Sequence, residues 1–275
     1  MTKFADLHIH THYSDSTYSP QEVVKEATQN GLCCISITDH DAIDGIKPTQ
    51  SAAQEFSLEV ISGIELSCEC EGKDVHMLGY CVNVENLFFK GELTKMQTVR
   101  VNRIREMVEK LKKQGINNIE ANEVLSLTRS NSVGRMHLAM ILKQKKWVST
   151  ISEAFQKYIG ESSLAYVPKL KQTPYEAILL IQKAGGVAVL AHPQITNRDE
   201  LIPGLAEAGL KGLEVYYSTH SQTTIKRYQD IAKKHKLIMT GGSDSHGKAR
   251  ESTFIGKSRI PYETVQELKA LSRNG

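Results

Sequence analysis

The chain has 275 residues, with 34 lysines and arginines against 31 aspartates and glutamates and a formal net charge of +3 at pH 7. This length can bury the core of one barrel-sized α/β domain with an inserted subdomain, and so small a charge does not predict strong binding to duplex DNA or to a membrane surface. No run of about 18 apolar residues occurs, and the N-terminus MTKFADLHIH lacks the apolar stretch of a signal peptide. We therefore expect a cytoplasmic protein.

The first third of the chain alternates predicted strands and helices. A short apolar strand over residues 4–9 is followed by a helix in YSPQEVVKEATQNG, where Ser19 is the N-cap, Pro20 takes the first position and Glu22 completes a capping box. Next come a strand in CCISITDH, a helix over residues 48–56, a strand in LEVISGIELS and a strand in DVHMLGY. This alternation predicts an α/β body.

The pattern changes between about Glu92 and Tyr166, where helical periodicity dominates MQTVRVNRIREMVEKLKKQG and SVGRMHLAMILKQK. Such a block predicts a helical subdomain, residues 92–166, inserted into a body formed by residues 1–91 and 167–275. Alternation then resumes with a helix in TPYEAILLIQKAGG, strands in VAVLAHP, GLEVYY and LIMTGGSDSH, and a last helix in IPYETVQELKALS.

The five cysteines are odd in number and include no CxxC pair. In a reducing compartment they are expected to be small buried hydrophobic residues and not disulfide partners.

Metal-binding side chains cluster near the ends of the predicted strands. Side chains two positions apart on a strand point to the same side, so His8, His10 and His12 share one face. A lone HxH pattern is weak evidence for a metal site. In a barrel, however, the loops after the strands form one rim that carries the active site, and six of the ten histidines fall at such positions. The residues at these predicted strand ends are His8, His10, Asp39, His40, Glu65, His76, His192, Glu214, Asp244 and His246.

These donors are imidazoles and carboxylates without thiolates, which suits Zn²⁺, Mn²⁺ or Fe²⁺. They exceed what one tetrahedral ion needs, so two or three ions are expected, with Glu65 suited to bridge a pair. Hydrolysis of a phosphate ester fits such a site best. Asp39 is expected either to orient a ligand imidazole or to cap the turn that follows it.

The motifs DLHIHTHYSD, ITDHD, GIELS, VHMLGY, LAHP and GGSDSH, in this order, resemble those of the PHP (polymerase and histidinol phosphatase) superfamily. The resemblance spans nearly the whole chain. SVGRMHLA and AYVPKLK are further similar to the bacterial branch whose members hydrolyse 3′,5′-nucleoside bisphosphates or trim short RNA from its 5′ end. The fold implied is a distorted seven-stranded (β/α) barrel with an inserted helical subdomain.

The resemblance also implies a set of metal ligands and two or three divalent ions. Mn²⁺ is the expected metal, with Zn²⁺, Fe²⁺ and Mg²⁺ as alternatives. Some family members have histidine at the position of Asp15, and His12 matches no ligand position. The implied groups are His8, His10, Glu65 and Asp244 for one ion, Asp15, His40 and His246 for a second, and Glu65, His76 and His192 for a third.

Candidates for substrate contacts are Arg135, His137, Lys169 and His220. Arginine offers a bidentate fork to a phosphate and lysine a point charge. On the residues alone a solvated helix face is the favoured interpretation, and the resemblance reverses that preference for Arg135 and His137, less clearly for Lys169. The segment SVGRMH is predicted to begin a helix with Ser132 as N-cap, overhanging the metal rim. His220 is expected to donate a proton or to contact a phosphate.

We therefore expect a metal-dependent phosphoesterase in which Glu65, Asp39 and His220 serve the chemistry. Its expected substrate is a 3′,5′-nucleoside bisphosphate, such as pAp hydrolysed to AMP and phosphate, or the 5′ end of a short RNA. Two alternatives remain at this point: a histidinol-phosphate phosphatase, and a catalytically silent, metal-stabilised binding module.

Overall fold

The computed structural model describes residues 3–168, 172–249 and 252–273. They form a mixed α/β fold. The strands are β1 (Phe4–Ile9), β2 (Cys34–Ile37), β3 (Glu59–Cys70), β4 (Lys73–Tyr80), β5 (Val187–Leu190), β6 (Gly212–Tyr217), β7 (Ile238–Gly242) and β8 (Ile260–Pro261). The α-helices are α1 (Pro20–Gln29), α2 (Ile46–Ala53), α3 (Leu87–Lys113), α4 (Ala121–Leu125), α5 (Arg135–Gln144), α6 (Ile151–Ala154), α7 (Pro174–Lys183), α8 (Pro193–Thr196), α9 (Ile202–Glu207), α10 (Gln222–Lys234) and α11 (Tyr262–Arg273).

The strands form one sheet in the order β7-β6-β5-β4-β3-β2-β1-β8. The sheet curls until β1 meets the end of β7, where the Asp244 N–H donates to the His8 carbonyl at 2.8 Å and the His10 N–H donates to the Ser245 carbonyl at 3.1 Å. The expected barrel is therefore confirmed. The difference from the predicted seven strands is β8, two residues that pair antiparallel with the outer edge of β1.

A long antiparallel hairpin interrupts the parallel barrel. β3 pairs with β4 over eight positions, from Gly63 opposite Tyr80 to Cys70 opposite Lys73. The expectation that the candidate ligands follow strand ends is wrong here, because Glu65 and His76 lie inside β3 and β4. β3 continues past the predicted end because β4 pairs with its further residues and extends the hydrogen-bond ladder along them.

Several helix boundaries follow the predicted signals. The capping box of α1 is present, with the Ser19 side chain accepting from the Glu22 N–H and the Glu22 carboxylate accepting from the Ser19 N–H. α2 begins two residues before the predicted start, so Pro48 lies in its first turn. The backbone N–H groups of a first turn have no partner within the helix, so proline is tolerated there. The N-cap of α5 is Gly134 and not Ser132, because the Ser132 hydroxyl donates to the His40 carbonyl instead.

Helix α3 contributes to two hydrophobic clusters. Its first half packs Phe89, Leu93 and Met96 against the barrel. Its second half, with Ile104 and Leu111, joins a separate cluster formed by the helices and loops up to Val167. We retain residues 92–166 as a proposed helical subdomain, and its proposed boundary falls within α3.

Two further observations concern cysteines and membranes. All five cysteines are free, and Cys34 and Cys68 are buried. Among the described ranges, none of the helices combines the length and apolar character that a membrane span requires.

Candidate metal centre

Five imidazoles surround the carboxylate of Glu65, which β3 holds 1% exposed. Its Oε1 lies 2.8 Å from Nδ1 of His76 and 2.9 Å from Nε2 of His192. Its Oε2 lies 3.3 Å from Nε2 of His8, 3.3 Å from Nε2 of His10 and 3.1 Å from Nδ1 of His40. Residues separated by 184 positions in the sequence thus meet at one carboxylate.

The first group of ligand atoms consists of His8 Nε2, His10 Nε2, Glu65 Oε2 and Asp244 Oδ1. Asp244 Oδ1 lies 3.4 Å from the His8 atom and 3.1 Å from the His10 atom. Ligands bound about 2.1 Å from a tetrahedral ion are themselves about 3.4 Å apart. The observed spacing therefore suits an ion at the middle of this group.

A second group joins the first along His10. Asp15, His40 and His246 gather beside it, with His246 Nε2 3.2 Å from Asp15 Oδ1 and His40 Nε2 3.9 Å from Asp15 Oδ2. Asp15 is only partly buried. In the third implied group, the structure brings both His76 and His192 to Oε1 of Glu65.

The same groups supply most of the buried side-chain atoms that have no hydrogen-bond partner among the described residues. Such atoms are costly to bury unless something satisfies them. Their concentration at one place, together with the absence of thiolates, shows that the donor set fits divalent ions. These atoms are His8 Nε2, His10 Nε2, Asp15 Oδ1, His40 Nδ1, Glu65 Oε2, His192 Nδ1 and His246 Nε2.

The carboxylates of the cluster are ionised. Burial raises the pKa of Glu65, but the imidazoles of His40, His76 and His8 lower it further, so its pKa lies well below its usual range. The pKa values of Asp15 and Asp244 are likewise held well below theirs by neighbouring histidines, against the effect of burial. The cluster therefore presents anionic oxygens, which favour cations.

The pKa values of the imidazoles are shifted in opposite directions. Burial lowers the pKa of His10, but the carboxylates of Asp244 and Glu65 more than offset it and raise the pKa to about 10. The pKa of His8 is also raised well above its usual value, by Glu214, Glu65 and Asp244. Burial dominates at His40 and lowers its pKa. Without metal, His10 and His8 therefore hold protons at neutral pH.

Glu214 and Tyr217 orient ligands of the site. From the sequence, Glu214 is placed at a predicted strand end without a role, and Tyr217 is not singled out. Glu214 is fully buried in β6, where its Oε1 accepts a 2.9 Å hydrogen bond from Nδ1 of His8 and its Oε2 accepts 2.7 Å from the His192 N–H. The Tyr217 hydroxyl donates to Asp244 Oδ2 at 2.7 Å. The available signal for Glu214 was a single carboxylate inside the apolar strand GLEVYY.

The backbone at His192 is strained. It adopts φ 23° and ψ 62° directly before Pro193, although a residue before proline normally avoids compact conformations. Such strain persists at functional sites when the surroundings hold it in place. Here the hydrogen bond from the His192 N–H to Glu214 helps to hold it.

Asp39 acts on a loop and not on an imidazole. Its Oδ1 accepts from the Thr11 N–H at 2.7 Å and from the Ser14 hydroxyl at 2.5 Å, and its Oδ2 accepts from the Thr11 hydroxyl at 2.6 Å. Both oxygens are thereby used to fold the loop that leads to Asp15. The structure corrects the expected catalytic role and replaces it with a role in holding this loop.

The structure describes His137, one of the candidate substrate residues, but not Lys169. His137 is 2% exposed; its Nε2 donates to the Ser14 carbonyl at 2.8 Å and its Nδ1 accepts from the Gly134 N–H at 3.0 Å. A ring with both nitrogens paired has none left for a phosphate, so the expected contact is corrected. Lys169 lies outside the described residues.

Arg135 is the first residue of α5. Its Nη2 is 3.7 Å from Oδ2 of Asp74, which precedes His76 by two positions on β4 and so shares its face. The rings of Phe155 and Tyr166 flank the guanidinium at 5.5 and 5.4 Å. Contacts with aromatic faces help to fix a guanidinium in place without using its hydrogen-bond donors.

His220 lies beside the ring of Tyr217, at 5.3 Å between centroids. Its Nδ1 donates to the Val215 carbonyl at 2.9 Å, and burial lowers the pKa of the ring. Its buried Nε2 has no partner among the described residues. With Nδ1 donating, the neutral ring presents Nε2 as a hydrogen-bond acceptor. The expected roles of His220, donating a proton or contacting a phosphate, stay predictions.

Comparisons with known proteins agree with this geometry. The family model described as PHP domain matches residues 6–190. A 5′-3′ exoribonuclease of Haemophilus influenzae is 32% identical over 90% of this chain and 91% of its own length. A 3′,5′-nucleoside bisphosphate phosphatase of Chromobacterium violaceum is 27% identical, covering 91% and 90%. A solved structure from Bifidobacterium adolescentis, described as a metal-dependent phosphoesterase, superposes with a TM-score of 0.89 at 31% identity, over 97% of this chain and 96% of that one.

Proposed function

The chain belongs to the PHP domain family, and on this premise we propose that, as a metal-dependent phosphoesterase, it hydrolyses 3′,5′-nucleoside bisphosphates and short RNA with a 5′-phosphate. The observation that carries this proposal is Glu65 between five imidazoles, with Arg135 beside the same strand hairpin. The names of two relatives supply the substrate class, since one is an exoribonuclease and the other a bisphosphate phosphatase.

The proposed metal ligands are the nine residues of the three groups. Bound divalent ions would supply a water nucleophile at neutral pH and neutralise charge on the phosphoryl oxygens. Glu65 serves two groups at once, because its two oxygens face different sets of imidazoles. The ligands are His8, His10, Asp15, His40, Glu65, His76, His192, Asp244 and His246.

The protein's own residues set the protonation of this site. Glu214 accepts a hydrogen bond from Nδ1 of His8, and the Asp244 carbonyl accepts one from Nδ1 of His246 at 2.9 Å. Each ring therefore presents its Nε2 to the cluster. Tyr217 directs one oxygen of Asp244 away, leaving Oδ1 toward His8 and His10. Nε2 of His220 accepts a hydrogen bond from a water or a substrate hydroxyl near this rim.

Arg135 is proposed to hold the phosphate that is not cleaved. Its side chain is 15% exposed and contacts two aromatic rings, and a guanidinium can bind a phosphate through two parallel hydrogen bonds. A substrate with two phosphates then places one on Arg135 and the other among the metal ligands. This arrangement serves a bisphosphonucleotide and a 5′-phosphorylated RNA end alike.

A substrate screen tests the proposal. Metal-loaded protein is given adenosine 3′,5′-bisphosphate, a 5′-phosphorylated oligoribonucleotide and histidinol phosphate, and released phosphate and chain length are followed separately. We expect hydrolysis of the first two and little of the third. Preferential hydrolysis of histidinol phosphate would overturn the substrate assignment, and no hydrolysis of any phosphoester by metal-loaded protein would overturn the function.

A further inference from the structure

The loops that carry Asp15 and His40 are held by the segment of residues 128–137, which precedes and begins α5. Carbonyls of the loop before Asp15 accept from this segment: that of His12 from the Arg129 N–H at 2.9 Å, that of Tyr13 from the Thr128 hydroxyl at 3.0 Å, and that of Ser14 from His137 Nε2 at 2.8 Å. Three consecutive carbonyls of one ligand loop are thus fixed from outside the barrel.

The His40 loop is held in the same way. The Ser132 hydroxyl donates to the His40 carbonyl. From α3, Gln97 Nε2 donates to the Asp41 carbonyl at 3.0 Å, and Arg100 donates from Nε to Asp41 Oδ2 at 2.7 Å. In every one of these bonds the helical region donates and the ligand loop accepts.

The first group of ligands is held differently. His8 lies within β1 and Glu65 within β3. Asp244 lies two positions after the end of β7, and its N–H donates to the His8 carbonyl. The positions of these ligands are therefore set by the barrel ladder.

The Asp15 loop is also held by the Asp39 side chain, and the His40 loop by the Asp41 N–H, which donates to the Glu65 carbonyl at 3.0 Å. Among the described residues, hydrogen bonds from residues 128–137 and α3 are an additional support that only these two ligand loops receive.

We infer that the segment 128–137 positions Asp15 and His40, and so sets the affinity of the metal position that these two residues form with His246. The inference rests on the ligand set of the proposed function. Partners that orient ligands contribute substantially to metal affinity although they touch no metal. Ser132, Thr128 and His137 are positioning residues in this sense, and their loss weakens one ion while the ions held by the strands stay bound.

The test is a metal-binding isotherm of the full chain. Metal-free protein is dialysed against a series of free Mn²⁺ concentrations, and bound manganese per chain is measured by plasma mass spectrometry. Wild-type protein is expected to bind two or three ions. Ser132→Ala should weaken one of them by about 10–100-fold, the range for lost orienting partners, and should leave the others unchanged. Ser132→Thr keeps the hydroxyl and should restore the wild-type isotherm.

The matched control is Ser126→Ala, also in the helical region, where the hydroxyl of an exposed serine bonds only the Glu123 carbonyl. It should bind metal as wild type does. If Ser132→Ala does not fold, the double variant Thr128→Val with Ser130→Ala removes both hydroxyls that donate to the Tyr13 carbonyl and is expected to give the same selective loss. An unchanged isotherm, or equal weakening of every ion, would overturn the inference. Failure of the wild type to bind any metal would instead overturn the proposed ligand set on which the inference depends.

Discussion

The Nδ1 atom of His8 donates a 2.9 Å hydrogen bond to Oε1 of Glu214, and both side chains are fully buried. This bond fixes the tautomer of His8 and leaves its Nε2 facing Glu65 and Asp244. The other oxygen of Glu214 accepts from the His192 N–H. Glu214 is not itself a proposed metal ligand, and it orients His8 in β1 and His192, which follows β5.

Glu214→Gln is expected to reduce metal affinity by about 10–100-fold. Glutamine offers one acceptor oxygen where glutamate offers two, so either His8 or the His192 N–H loses its partner. Competition between the protein and a chromogenic chelator measures the change. Glu207→Gln, at an exposed carboxylate at the end of α9, is the matched control, and equal affinities for the two variants would remove Glu214 from the account.

Glu65→Gln is expected to lower kcat/KM by about 100-fold, which is the upper end of the range for the loss of an orienting partner, because Glu65 is itself a proposed ligand. The neutral amide cannot provide two anionic oxygens to imidazoles on both of its sides. Steady-state kinetics under saturating metal checks this expectation, and a circular dichroism spectrum like that of the wild type shows that the fold is kept. Turnover near the wild-type rate would end the bridging assignment.

Arg135→Ala is expected to cost about 1.5–3 kcal/mol of transition-state binding for a 3′,5′-bisphosphonucleotide, the range for a hydrogen bond to a charged group. The cost should be much smaller for p-nitrophenyl phosphate, which has no second phosphate. The ratio of kcat/KM for the two substrates is the measurement. Arg105→Ala, on an exposed position of α3, is the control. An equal fall with both substrates would show that Arg135 acts through the fold or the metal cluster.

Metal affinity is expected to rise with pH up to about 10, the pKa of His10 in the metal-free protein. The pKa of His10 in the metal-free protein is raised to about 10 by Asp244 and Glu65 against the effect of burial, and that of His8 is raised as well. A metal binds only the neutral imidazole, so these protons must leave when an ion enters. For each proton released on binding, metal affinity increases about tenfold when the pH rises by one unit. Proton release on adding metal to weakly buffered apoprotein measures the effect, and a pH-independent affinity would contradict it.

The strands and most helices could be predicted because local signals agree with the final structure. Ser19, Pro20 and Glu22 mark the start of α1 within a few residues of sequence, and the structure begins the helix there. The length of β3 was not predictable in this way, because its last residues are stabilised by β4 and not by their own pattern. The helix start at Gly134 was missed because Ser132 bonds to His40, a partner 92 positions away.

The same distinction applies to the site. The candidate ligands could be proposed from the sequence because imidazoles and carboxylates bind metals through their own side-chain atoms, and the ordered motifs contain both. The partners of those residues could not. Asp39 was expected to orient an imidazole or to cap the turn that follows it, and only the structure places Thr11 and Ser14 against its oxygens. The role of Glu214 likewise depends on the approach of β6 to β1 across the barrel.

The central claim is that the cluster around Glu65 binds the metal ions that hydrolyse a phosphoester of a nucleotide carrying two phosphates. The most direct measurement is phosphate release from adenosine 3′,5′-bisphosphate by one protein preparation, stripped of metal and then reloaded in steps, with bound metal determined in each sample. The account predicts no release from stripped protein and a rate that rises with bound metal up to two or three ions per chain. Equal rates with and without metal, or no release from fully loaded protein, would contradict it.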